Sequence, residues 1–229
     1  MQPMGRLWFL LTIGLIGTGI LVSLGVWQVQ RLAWKQDMLS RIEAQISADP
    51  VPLADALVPE FRRYAPVEVT GQFGAPYIRM LASRKTTGPV YRIIRPFRTE
   101  DGASILIDTG WQPQARDVPG APQVRLTLVG NLDAPQEADG FTPDPDTDGN
   151  IWFARDVPAM AAALGTDPVM VVLRDAPETD LGVTPWPVDS AGIPNDHLQY
   201  AITWFSLAVI WVGMTLYFLR RTRRPIAKG

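Results

Sequence analysis

Asn195-Asp196-His197-Leu198-Gln199-Tyr200-Ala201-Ile202-Thr203-Trp204 opens an apolar run that continues to Leu219. The 23 residues between Asp196 and Arg220 carry no formal charge at neutral pH. As a helix they rise about 35 Å, enough to cross a hydrocarbon core about 30 Å thick. Pro194 disfavours helix upstream, Asn195 or Asp196 can cap, and His197 then falls in the first turn. It is the only histidine of the chain. The positive end of a helix dipole favours neutral imidazole, which can coordinate a metal. A lone histidine at a helix start is more often solvated or capping, so position alone leaves a ligand role open.

Steps of four and three from His197 reach Ala201, Trp204, Ala208, Trp211 and Thr215, one stripe of aromatic and small residues that needs a packing partner. Tyr200 lies beside His197 and Trp204, at the depth where amphipathic rings gather, so these two rings read first as an interface belt. A second apolar run, the 24 uncharged residues from Leu7 to Gln30, is too long for a signal-peptide core and lacks a convincing small-x-small cleavage site. It reads as an uncleaved first span. Along it Gly14, Gly17, Leu21, Leu24, Gln28, Arg31 and Lys35 share one face, which lets another helix approach closely. That helix is either the second span or a foreign membrane protein.

Charge is segregated along the 229 residues. All 23 acids lie between Asp37 and Asp196, so residues 31–196 carry a net charge of −8, whereas Arg6 and the bases from Arg220 onward give the ends +6. The positive-inside rule then predicts residues 1–6 and 220–229 as cytoplasmic, spans at 7–30 and 196–219, and a translocated domain at 31–195. The basic tail fixes topology and touches anionic lipid; nucleic acid is not an expected partner. Cysteine is absent, which removes disulfides, covalent haem attachment, thiolate nucleophiles and cysteine-based metal sites. One histidine excludes a multi-histidine site within the chain, and nothing near it resembles a nucleophile elbow.

Past Lys35 the first helix is expected to continue to Ile46, where Asp49-Pro50-Val51-Pro52 stops it. Runs rich in β-branched and aromatic residues follow at Tyr64–Phe73, Tyr77–Ala82, Val90–Arg98, Ala103–Thr109, Val124–Leu132 and Val169–Arg174, each bounded by Gly, Pro or Asp. Asp156 can cap a short helix through Leu164, closed by Gly165. The expected fold is therefore a membrane protein with two transmembrane α-helices flanking one mainly-β extracytoplasmic domain, an α+β arrangement. Residues 133–149 form an acidic loop in which Asp144-Pro145-Asp146-Thr147-Asp148-Gly149 imitates a calcium loop. The twelfth position holds Arg155 where a bidentate Glu is required, so no calcium is expected there.

The first-span exit reads Leu24-Gly25-Val26-Trp27-Gln28-Val29-Gln30-Arg31-Leu32-Ala33-Trp34-Lys35. With Gly110-Trp111, with Asn150-Ile151-Trp152-Phe153-Ala154-Arg155-Asp156 and with the stretch from Asn195 to Phe205, it resembles the Surfeit-locus family of cytochrome c oxidase assembly proteins over nearly the whole chain, in order. Thr109 departs from that pattern, where an arginine would stand. The resemblance implies a non-enzymatic factor that holds or delivers haem a to the catalytic subunit of a haem-copper oxidase, with the haem a synthesis machinery as a further partner. The family's histidine falls on His197, the implied axial ligand of the iron. On that reading Arg31 or Lys35 pairs with propionates, Trp27 or Trp204 packs on the ring with Gln28 and Tyr200 adjoining, and the isoprenoid tail rests along Gly14, Gly17 and Leu21 or along Ala201 and Ala208. The alternative is a membrane chaperone or accessory subunit that stabilises the oxidase by helix packing and never touches haem. No transit-peptide pattern precedes the first span, which favours a bacterial inner membrane with the domain in the periplasm.

Overall fold

The computed structural model describes residues 3–57, 61–175 and 177–223. Along the chain come α1 (Pro3–Ile46), β1 (Val51–Pro52), α2 (Leu53–Leu57), β2 (Pro66–Phe73), β3 (Ile78–Arg84), β4 (Gly88–Thr99), β5 (Ser104–Pro113), β6 (Leu126–Asp133), β7 (Ile151–Trp152), α3 (Val157–Leu164), β8 (Met170–Leu173) and α4 (His197–Arg223). Two compact units result, one from Met1–Arg41 with Ala191–Gly229 and one from Ile42–Ser190. Of the expected basic tail, Arg224 and Lys228 lie outside the described residues.

Helix α1 continues beyond the expected span end at Gln30 because nothing between Arg31 and Ile46 breaks it: neither Pro nor Gly occurs, and strong helix formers dominate. Its last turn belongs to the second unit. There the Ile46 carbonyl, which no helical N–H can satisfy, accepts from Asn131 Nδ2 at 3.0 Å and Arg174 Nη2 at 2.6 Å. The helix end is thus tied to the sheet through a buried asparagine.

The sheet runs β1-β2-β6-β8-β5-β4-β3-β7 and closes on itself where β2 also pairs with β4, Gly71 opposite Thr99 and Phe73 opposite Phe97. Five strands therefore form a barrel-like ring, with β1 leaving from one member and β3 and β7 from another. Closure demands a residue without a side chain at Gly71, since a Cβ there would collide with the Arg98 carbonyl. Inside lie Val67, Val69, Phe97, Ile105, Ile107, Leu128, Leu132 and Val171. Phe73 and Phe97 meet edge-on, with centroids 5.0 Å apart, a contact worth about 0.5–1.5 kcal/mol beyond area burial. On the outer face α3 covers Ile94, Leu106 and Met170 with Val157, Met160 and Ala161. As the sequence predicts, Asp156 caps α3, accepting from the Ala159 N–H at 3.1 Å, and Gly165 ends it at φ 69°.

All six predicted strands form, shifted by a few residues at their ends. Strand β5 outruns its predicted end at Thr109 because Gly110 takes φ 122° and the ladder to β4 shifts register between Arg92 and Ile94. The elements β1, α2 and β7 were not legible: two-residue strands and a five-residue helix carry no periodicity of their own.

Candidate functional site

The two predicted helix faces meet in one antiparallel hairpin. Gly14 packs against Thr215, Gly17 against the Trp211 indole and Gly25 against Phe205, while Trp211 Nε1 donates to the Gly14 carbonyl at 3.2 Å. Ala201 and Ala208 are buried in the same seam. The partner left open by the sequence is therefore the second long helix. The seam is filled: a Cβ at Gly17 would lie 2.5–2.9 Å from three atoms of the indole. This corrects the expectation that Gly14 and Gly17 leave room for an isoprenoid tail, because α4 side chains occupy that space. Outside the seam both helices are bare. Each is long and apolar enough to cross a membrane, and only 11% of the most apolar window in each is buried, unlike a core helix of a soluble domain.

At one end of this seam the polar residues of the two faces join. His197 Nδ1 lies 2.8 Å from Gln28 Oε1. Gln28 is 8% exposed and His197 half-buried. Two residues before the histidine, Asn195 Oδ1 is buried without a hydrogen-bond partner. One turn beyond Gln28, the Arg31 guanidinium is sandwiched by two indoles, 5.9 Å from the Trp27 ring and 5.1 Å from the Trp34 ring. Lys35 and Trp204 are half-buried, and Tyr200 is 55% exposed. The structure thus brings Gln28 to His197 and Trp27 to Arg31, whereas Tyr200 faces outward. A single imidazole, a buried amide and a cation held between aromatic faces suit a planar, carboxylate-bearing group better than a bare metal ion. Among the described residues no cluster of three His, Asp or Glu side chains could hold such an ion.

A separate polar centre sits in the β domain and escaped the sequence reading. Asp108 on β5 is fully buried, takes a 2.7 Å ion pair from Arg92 Nε on β4, and lies 3.7 Å from Arg155 Nη1. Arg155 also reaches Asp133 at 3.4 Å and Glu137 at 2.5 Å, and Asp133 pairs with Arg63 at 3.0 Å. Burial alone would push the Glu137 carboxyl up, but the hydrogen bonds and charge of Arg155 outweigh it and hold the group below its ordinary range. Burial would likewise lower Arg155, yet Glu137, Asp108 and Asp133 together raise it. The chain closes over this network with Trp186, whose carbonyl accepts from Arg92 Nη2 at 3.0 Å and whose ring lies 4.6 Å from the same guanidinium. A cavity of about 280 Å³ remains between Arg63, Arg92, Arg155 and Trp186.

Arg155 stood out as the wrong residue for a calcium loop and as part of the Asn150–Asp156 motif, with no partner assigned; its partners lie 18 to 47 positions earlier in the chain, and no local pattern announces them. The available signal was inside the strands. Arg92 and Asp108 place opposite charges inside two strand runs, where a buried charge needs a partner. The acidic turn itself is closed by its own backbone: Asp146 and Ile151 exchange two 2.9 Å hydrogen bonds, and Asp146 Oδ1 accepts from the Gly149 N–H at 2.8 Å. Thr109, where an arginine was expected, is buried and donates to the Ile93 carbonyl at 2.8 Å.

The family model described as SURF1 family matches residues 15–209. Surfeit locus protein 1 of Rattus norvegicus is 30% identical over 241 aligned residues, covering 94% of this chain and 76% of that protein. The Homo sapiens protein of the same name is 29% identical, covering 88% and 73%. The SURF1-like protein of Drosophila melanogaster is 31% identical, covering 90% and 74%. The family match runs through the first-span exit, the β domain and the start of α4 alike.

Proposed function

Because the chain belongs to the SURF1 family, a family of cytochrome oxidase assembly factors, we propose that it serves the maturation of a haem-copper terminal oxidase by holding haem a for the catalytic subunit. The observation that carries this reading is the junction of the chain's single histidine with buried Gln28, beside the Trp27, Arg31 and Trp34 stack. His197 would supply an axial imidazole, Arg31 or Lys35 would pair with propionates, and Trp27 or Trp204 would flank the ring. When bound, the group supplies an iron centre open to one protein nitrogen. The chain's own work is binding and release, not catalysis. The isoprenoid tail would lie on an outer face of the hairpin, since the inner seam is filled.

Both long helices would cross a bacterial inner membrane, with termini in the cytoplasm and the Ile42–Ser190 unit in the periplasm. The bare apolar surfaces and the segregation of charge support this. Partners are then the oxidase catalytic subunit, the machinery that makes haem a, and lipid. A second reading, a chaperone or accessory subunit that never binds haem, draws on Gly19, which meets nothing within 4 Å and offers an outer helix face for close approach.

Purification of the full chain from cells that make haem a separates the two readings. Stoichiometric pigment in the wild type, lost in His197→Ala, is the expected result. Pigment retained by the variant with an unchanged spectrum refutes the ligand role. A colourless wild type on which oxidase assembly still depends establishes the chaperone.

A further inference from the structure

We infer that Gln28 is a positioning residue that holds the chain's only imidazole in the tautomer protonated on Nδ1, leaving the Nε2 lone pair as the open donor of the hairpin. The role of that donor rests on the haem reading above, but the tautomer is a property of the protein with nothing bound. The contact is short, 2.8 Å between Nδ1 and Gln28 Oε1, and the amide is buried. The amide oxygen is the atom turned to the ring, and a carboxamide oxygen accepts only, so in this orientation Nδ1 carries the proton that it receives. Neutral imidazole has one ring proton, and once Nδ1 holds it Nε2 is an acceptor or a metal ligand.

The surroundings of the two remaining nitrogens agree with this. Among the described residues His197 Nε2 has no hydrogen-bond partner, and it is also absent from the fully buried, unpaired polar atoms, which are Trp111 Nε1, Gln112 Oε1, Thr166 Oγ1 and Asn195 Oδ1. It is therefore accessible. The same holds for Gln28 Nε2, so the amide can turn its oxygen inward to the ring and leave its two donors reachable from outside. The reverse orientation, with the amide nitrogen donating to Nδ1, would force the proton onto Nε2 and abolish the free lone pair. Metal-binding histidines generally donate their second ring nitrogen to an acceptor that fixes ring and tautomer together. Here that acceptor comes from the neighbouring helix, so the competent tautomer is fixed by closure of the hairpin and is one of two interconverting forms without it.

The single histidine makes the test direct. The full chain, labelled with ring-15N histidine and held in detergent without pigment, gives one imidazole in long-range 1H–15N spectra at a pH where the ring is neutral. The expected result is a proton on Nδ1 in the wild type, a shift toward the Nε2-protonated form in Gln28→Leu, and return to Nδ1 in Gln28→Glu, whose carboxylate can only accept. Closure of the hairpin in each variant is checked by disulfide formation between Gly14→Cys and Thr215→Cys introduced alongside. A wild-type ring protonated on Nε2, a Gln28→Leu ring unchanged from wild type, or a Gln28→Glu ring that stays protonated on Nε2 with the disulfide formed would each overturn the inference. Because no pigment takes part, these outcomes are independent of whether the chain binds haem.

Discussion

The helix hairpin and the β domain solve opposite packing problems with opposite kinds of polar pairing. The domain buries a closed apolar ring and, beside it, a multi-charge network in which every carboxylate meets an arginine. The hairpin has almost no interior. Its seam sets Gly14, Gly17 and Gly25 against Thr215, Trp211 and Phe205, and among the described residues the polar contacts across it are uncharged-donor bonds such as Trp211 Nε1 to the Gly14 carbonyl and the pairing of Gln28 with His197. The charged network is fully engaged inside its own unit, whereas among the described residues the hairpin pair leaves His197 Nε2 and Gln28 Nε2 without a partner. A structure that satisfies all its charges is organised for persistence; one that leaves a donor open is organised to meet something else.

The largest expected effect lies in the domain. Arg92→Ala strips the 2.7 Å partner from a fully buried Asp108, and breaking one side of a buried pair costs about 3–5 kcal/mol. Denaturant unfolding followed by near-ultraviolet circular dichroism should show that loss. A change below about 1 kcal/mol would mean that Arg155, 3.7 Å away, alone neutralises the carboxylate.

The hairpin is tested next. An ideal Cβ at Gly14 lies 3.2 Å from Thr215 Cβ, near the roughly 3.5–4.5 Å that a disulfide spans. With no native cysteine to compete, the Gly14→Cys, Thr215→Cys pair should oxidise within one chain and shift its mobility on a non-reducing gel. Adding Gly17→Val, which drives a branched side chain into Trp211, should suppress the cross-link, with a cost of about 1–3 kcal/mol for the forced separation.

The smallest effect is a pH slope. Glu137 has a folded pKa below its unfolded value of about 4.3, so its contribution to stability is present above that value and lost as pH falls through the folded pKa. Its side chain is 39% exposed, so solvent screening keeps the term modest. Midpoints of thermal unfolding measured from pH 6 down to about pH 3 should fall less steeply in Glu137→Gln than in wild type. Parallel curves would show that Asp133 and Asp108 hold Arg155 without it.

Much of the hairpin could be read in advance because helix periodicity is local. Spacings of three and four placed Gly14, Gly17 and Gln28 on one face and His197, Ala208 and Trp211 on another, and each set is found in the shared seam. The strands and the capped helix α3 were legible for the same reason, from alternation and from Asp156 and Gly165 at its ends. The charged centre was not. Arg155 meets Asp108, Asp133 and Glu137 across tens of residues, and a sequence records no distances. Tyr200 shows the limit of such spacing: three residues from His197 and four from Trp204, it is about 60° round the helix from the imidazole, and its ring is exposed.

The amino-acid sequence by itself determined two uncharged helices around an acidic β-rich segment, a single histidine at the start of the second helix, and the faces by which those helices would pack, because composition and short-range periodicity are properties of neighbours along the chain. Only the tertiary structure decided that the two faces fill one another, that Gln28 is the group His197 meets, that β2 and β4 close the sheet, and that Arg155 anchors a buried charge network. Those outcomes depend on which distant surfaces come within hydrogen-bonding reach, and that is set by packing in three dimensions.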